Sequence, residues 1–212
     1  MDHSSMHHTT EPNVMLLNGN GQVSAVPDVA VLRLGVQTEG ENLQEIQANN
    51  AELSQAVIQA MRQLGIEDIK TFQYDINKVF EFTDGKQTDK GYSVRNVLEF
   101  RIKDLSLVGT AIDTAVYYGA NIVEAIQFVV SDTSRYYLQA LNLALADAFE
   151  KANSIADSIG LSLQPYPRRI TENSTPAVPF RTVNMREGAL ASTPIEAGTN
   201  RIEASVTVEF IY

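Results

Sequence analysis

The chain of 212 residues has no cysteine and no tryptophan, and its three histidines, His3, His7 and His8, all fall within the first eight residues. Without cysteine there can be no disulfide, no thiolate nucleophile and no cysteine-ligated zinc or iron–sulfur site. With histidine confined to the N-terminus, a Ser-His-Asp site would have to borrow its base from a flexible segment, which positions it poorly. Basic residues are also scarce, 16 against 26 acidic, for a net charge of −10. Their densest group is the Arg168-Arg169 pair, so phosphate backbones and anionic membrane surfaces are poor partners. No apolar run approaches the ~20 residues that cross a bilayer. No apolar signal-peptide core precedes the first strand.

What remains is ordinary for a packed domain: 44% hydrophobic and 20% charged residues. Residues 1–12 read as a flexible tail, either a mature N-terminus or a cloning remnant, and residues 13–212 as one domain. The pattern predicts strands at 13–24 and 29–38. Asn18-Gly-Asn-Gly21 suggests a bulge or a close backbone approach within the first strand. In the second, Val29-Ala-Val-Leu32 reads as covered on both faces.

Leu43, Ile46, Leu53, Val57, Met61 and Leu64 recur at helical spacing over 42–64, with Asn42 and Glu45 as a capping box and Gly65-Ile66 as the stop. A hairpin follows. Phe72, Tyr74, Ile76, Phe80 and Phe82 alternate with polar residues, Asp84-Gly85 turns, and Tyr92, Val94, Leu98, Phe100 and Ile102 return.

Asp104 caps a short helix ending at Gly119. A strand spans 122–130. The longest helix then runs to about Ile159, with Leu138, Leu141, Leu145, Ala148, Ala152, Ile155 and Ile159 as its apolar stripe. A strand at 166–173, a long Pro- and Gly-containing loop at 174–200 and an alternating final strand complete the chain. The fold class expected is α+β: mainly antiparallel sheets packed against one long, one medium and one short helix.

The aromatic hairpin stripe reads first as a core face and second as the lining of a ligand groove. Asp28, Asp104 and Asp132 sit where aspartate caps and turns, and Asp75 and Glu81 read as solvating charges. Tyr117, Tyr118, Tyr136 and Tyr137 stand near helix ends as interface anchors or as half-buried packing. Met1-Asp2-His3 with His7 and His8 has donors for Cu(II) or Ni(II). Phe180, Val183, Met185 and Leu190 of the long loop would be exposed apolar groups unless a partner subunit covers them. The ordered part shows no catalytic constellation and no cofactor motif, and names no small-molecule ligand.

In order and spacing, several short motifs together resemble the SIMPL-domain family. They are Asn18-Gly-Asn-Gly21, Pro27-Asp-Val-Ala30, Leu64-Gly-Ile66, Gly91-Tyr92, Lys103-Asp-Leu-Ser106, Gly119-Ala-Asn121, Ile126-Gln-Phe128, Ser131-Asp132, the run from Ala140-Leu141 to Gly160, and Pro194-Ile-Glu-Ala-Gly198. The resemblance covers residues 13–212. It implies a periplasmic or otherwise extracytoplasmic location, self-association into a homo-oligomer and a loose link to oxidative or envelope stress. It supplies no catalytic residues. The export signal that such a location requires is not in this chain. The functional expectation is a non-enzymatic, self-associating envelope protein, with the terminal strand and loop 174–200 building the contacts. The alternative is a ligand- or metal-binding module.

Overall fold

The structure, a computed structural model, describes residues 13–83, 85–160, 166–173 and 197–212. It is α+β, with seven strands in two antiparallel sheets and three helices. The strands are β1 (Val14–Ala25), β2 (Val29–Gly40), β3 (Ile69–Thr83), β4 (Lys86–Ile102), β5 (Ile122–Val129), β6 (Tyr166–Glu172) and β7 (Asn200–Ile211). The helices are α1 (Leu43–Gln63), α2 (Val108–Tyr117) and α3 (Thr133–Ser158). They divide into two compact units.

The first unit lays α3 on a three-stranded sheet of order β1-β7-β6. Its packing is unusually close. The fully buried positions on α3 are Ala140, Ala144, Ala148, Ala152 and Ala156, one every four residues. The expected stripe therefore holds only in part. Ala148 and Ala152 are buried and Leu141 and Leu145 pack against the core, but Leu138, Ile155 and Ile159 are exposed. A spacing of four drifts around a helix of 3.6 residues per turn, so the contact line runs obliquely and leaves larger residues at both ends outside it.

Gly19 and Gly21 face this alanine line. A Cβ at Gly19 would lie 2.0 Å from the Ala144 carbonyl oxygen, and one at Gly21 1.9 Å from that of Ala140. The Asn-Gly-Asn-Gly motif is thus the close backbone approach its glycines suggested. Around it Met15, Val206, Val208 and Phe210 complete the core, with Phe149 packed edge-on to Phe210 at 5.2 Å. β7 lies between β1 and β6, and its alternate side chains are buried. It has no free edge, which removes it as the subunit-contact strand expected from the sequence.

The second unit is a four-stranded sheet of order β3-β4-β2-β5 with α1 and α2 on one face. β2 is central, and Val29, Ala30, Val31 and Leu32 are all buried, as their continuous apolar run predicted. Asn42 caps α1 by accepting hydrogen bonds from the backbone of Gln44 and Glu45. At the other end Ile66 N–H returns to Met61 and Gly65 N–H to Arg62, closing the helix with the paired bonds of a glycine stop. Asp104 caps a 3-10 turn at Leu105–Leu107 that leads into α2. Asn50 of α1 is buried and donates to the carbonyls of Val36 and Val94, tying helix to sheet.

Candidate interaction surface on the β3–β4 hairpin

β3 and β4 are the longest strands among the described residues, 15 and 17 residues. Their neighbour β2 pairs with β4 only as far as Gly40 opposite Tyr92. Beyond that point the hairpin continues as a two-stranded arm. The arm leaves at Gly91, which sits at φ 93° in an irregularity of the ladder, with space for no side chain: a Cβ there would lie 2.2 Å from the Gly40 carbonyl oxygen. β3 is also the edge strand of its sheet, so among the described residues one side of its backbone meets no strand.

The aromatic stripe divides: Phe100 on β4 is core, but the β3 members are not. Phe72 (44% exposed), Tyr74 (46%), Ile76 (40%), Phe80 (43%) and Phe82 (72%) are all well exposed, whereas Val94, Leu98, Phe100 and Ile102 of β4 are buried. The alternation was read correctly on both strands, but position in the sheet separates them. β4 is sandwiched between β2 and β3 under α1, while β3 lies outside.

A bulge refines the stripe further. Phe72 and Gln73 together oppose Val97, which sends Phe72 to the sheet face away from the helices. Tyr74 stays on the helix side, where its hydroxyl accepts a hydrogen bond from the Gln47 amide. On the arm, Lys78 lies 5.8 Å from the ring centre of Phe80 and 5.5 Å from that of Tyr92, and pairs with Asp89 at 2.7 Å. Lys90 pairs with Glu81 at 2.9 Å. Such exposed pairs add little stability but keep the arm soluble.

On the face away from the helices lies the most deeply buried carboxylate among the described residues. Glu99 is 4% exposed and receives the Arg33 guanidinium and the Lys70 ammonium, each at 2.9 Å. Burial pushes its carboxyl up, but hydrogen bonds and charge from Lys70 and Arg33 outweigh that and hold it below the ordinary glutamate range. Arg33 in turn stacks on Phe72, 3.6 Å from the ring centre. Every charge in this cluster already has a partner, so it braces the root of β3 and does not present a reactive group.

Other sequence candidates resolve into structure. Asp28 accepts from the backbone and hydroxyl of Ser131, stapling the start of β2 to the end of β5. The hydroxyl hydrogen bond is the main reason the Asp28 carboxyl sits below the usual aspartate range. The Asn121 amide both accepts from and donates to the backbone of Gln37, standing in for a strand residue just before the start of β5. Tyr117 is the more exposed of an edge-to-face pair with Tyr118, and Tyr137 hydrogen-bonds Glu172.

A cleft of about 410 Å3 opens beside the α1–β3 connection, but its rim mixes Glu67, Asp68 and Asp104 with Arg101 and Lys103, and Asp104 is engaged as a cap. No group of three or more metal-ligating side chains occurs among the described residues, and no helix there is long and apolar enough to cross a membrane. His3, His7 and His8, and Phe180, Val183, Met185 and Leu190, lie outside the described residues.

The recurrent features of the two α+β units are caps, staples and close backbone approaches. The chain belongs to the SIMPL family, described as a protein of unknown function (DUF541), whose model matches residues 16–210. It is 33% identical over 216 aligned positions to the 26 kDa periplasmic immunogenic protein of Brucella abortus (strain S19), spanning 95% of this chain and 86% of that protein. The protein of the same name from Brucella melitensis biotype 1 is 32% identical over the same shares. The uncharacterized protein YggE of Escherichia coli (strain K12) is 23% identical over 153 positions, covering 71% of this chain and 62% of that one.

Proposed function

We propose that this chain is a non-enzymatic extracytoplasmic protein of the cell envelope that works by self-associating, with the β3–β4 hairpin as its contact surface. The observation that carries the reading is the hairpin: five large apolar side chains stand exposed on one edge strand. Monomeric proteins rarely leave such a strand uncovered, because its unpaired backbone and apolar side chains recruit another chain. The location is supported by the relatives, two of which are named as periplasmic. The non-enzymatic part rests on chemistry. Histidine occurs only at positions 3, 7 and 8 and cysteine nowhere, and the most buried carboxylate is neutralised by two cations. A role in oxidative or envelope stress, which the family resemblance implies, would not run through a thiol, since the chain has none.

The alternative of a small ligand on the aromatic face is weaker, because the face is an open ribbon and not a concavity that could bury a ligand. Light scattering on a size-exclusion column tests the reading. The wild-type chain should run at a multiple of 23.3 kDa, and the double variant Phe80→Glu, Phe82→Glu at a lower multiple or as the monomer. A wild-type monomer at tens of micromolar, where weak protein contacts of Kd about 1 μM would be saturated, rejects it.

A further inference from the structure

We infer that the cleft beside the α1–β3 connection binds a small zwitterion of the α-amino-acid class, its ammonium toward α1 and its carboxylate toward the end of β4. The site lies within one compact unit of one chain, so it does not depend on self-association.

Two segments far apart in the sequence wall the cleft: residues 65–68, which leave the C-terminus of α1, and residues 101–104, which leave β4. Both are held by their own hydrogen bonds. The glycine stop fixes Gly65 and Ile66, and the Ile69 N–H returns to the Glu67 carbonyl at 3.0 Å. The Arg101 N–H donates to the Asp68 carbonyl at 3.0 Å and so ties one wall to the other. Asp104 accepts from the N–H and the hydroxyl of Ser106. A cleft built this way is formed before a ligand arrives, which spares the ordering cost of binding.

The walls differ in charge. The first carries Glu67 and Asp68 just past the C-terminus of a 21-residue helix, the end whose dipole favours cations. The second carries Arg101 and Lys103, and its one carboxylate, Asp104, is engaged in the cap. Asp68 and Arg101 form only a loose pair, at 3.7 Å against 2.9 Å for the pairs of Glu99. Glu67 and Lys103 are exposed, and among the described residues neither is in an ion pair. The rest of the lining is Gly65 and three apolar residues, Ile66 and Ile102, which are buried, and Leu107, which is half-buried.

These features select the ligand. A volume of about 410 Å3 is at the lower end for small-molecule sites, so the occupant is a small molecule and not a chain segment. A simple anion would meet Glu67, Asp68 and Asp104 against only Arg101 and Lys103. A metal ion needs converging ligands, and no group of three or more metal-ligating side chains occurs among the described residues. A molecule with one charge of each sign and an apolar body answers both walls and the lining together. An α-amino acid with an aliphatic or aromatic side chain is a minimal molecule of that kind.

Calorimetric titration of the full chain tests the site, with L-leucine, L-methionine and L-phenylalanine as separate probes. At least one should bind saturably, once per chain, with Kd below about 1 mM. The amino acid that binds is then compared with its analogues lacking the ammonium or the carboxylate (4-methylpentanoate and 3-methylbutylamine for leucine), each of which should bind about tenfold more weakly or worse. Lys103→Glu and Glu67→Lys change exposed side chains, so both should keep the wild-type circular dichroism spectrum. Each should raise Kd about tenfold or more by setting like charges together. No saturable binding of any of the three probes overturns the site. So does equal binding of a singly charged analogue, or binding that ignores both substitutions.

Discussion

The two units bury their helices by opposite means. In the first, α3 approaches so closely that alanine is the largest residue its contact line accepts and the facing strand has given up Cβ atoms at Gly19 and Gly21. In the second, α1 and α2 stand off on Val57, Met61, Val108 and Ile112, which interlock with Leu32, Leu34, Leu98 and Phe100 of the sheet. The first therefore tolerates no added volume, while the second depends on the size of each side chain and on the few polar ties that thread its core. They differ again at their edges. β1 is sealed by charged side chains from its own helix, whereas β3 is left open with aromatic groups on its surface.

Several substitutions sharpen that contrast. The largest effect should come from Gly21→Ala, whose new methyl would need to occupy space 1.9 Å from a backbone oxygen. Neither element can yield by a rotamer change, so a loss of about 3 kcal/mol or more is expected, read as a lowered urea midpoint or as failure to accumulate folded protein. Urea unfolding near wild-type stability would mean that α3 and β1 can separate freely, and the contrast between units would fail.

Next is Asn50→Ala, which strips the hydrogen bonds to the carbonyls of Val36 and Val94 and should cost about 1–3 kcal/mol by the same measurement.

Smaller still is Asp28→Asn. The Ser131 hydroxyl holds the Asp28 carboxyl below its ordinary value, so its stabilising contribution is present above the unfolded-state pKa and is lost as pH falls through the lower folded-state pKa. Because Asp28 is exposed, about 0.5–1 kcal/mol is expected near neutral pH. The gap to wild type should close below about pH 4 in urea titrations run at several pH values. A constant gap across pH would assign the effect to something other than the carboxylate.

The smallest stability change, within about 0.5 kcal/mol, is expected for the double glutamate variant of Phe80 and Phe82, even as it lowers the oligomeric mass. A large loss of stability there would show that the arm belongs to the core after all.

The family's motifs can now be given physical reasons. Asn18-Gly-Asn-Gly21 receives α3, Asp28 and Ser131 staple two strands, Asp104 caps the turn before α2, and Asn121 replaces a missing strand residue. Each of these secures a junction of the fold. Reading them in order led to the right family.

Where the reading failed, it failed on a specific physical point. The stripe on α3 was drawn through the larger residues because helical spacing ranks hydrophobicity, while a close helix–sheet contact selects for smallness. The hairpin stripe was placed in the core because alternation is the same on an edge strand as on a central one.

By itself the sequence determined what is local and chemical. Backbone propensity, capping side chains and apolar periodicity set the order and type of the elements, from the Asn42 cap to the alternating β7. The residue types absent from the chain excluded thiol chemistry. Only the tertiary structure decided which strands became edges, which apolar faces were covered, and how closely a helix could approach. Those outcomes depend on neighbours tens of residues away in the chain, and no window of sequence contains both partners of such a contact.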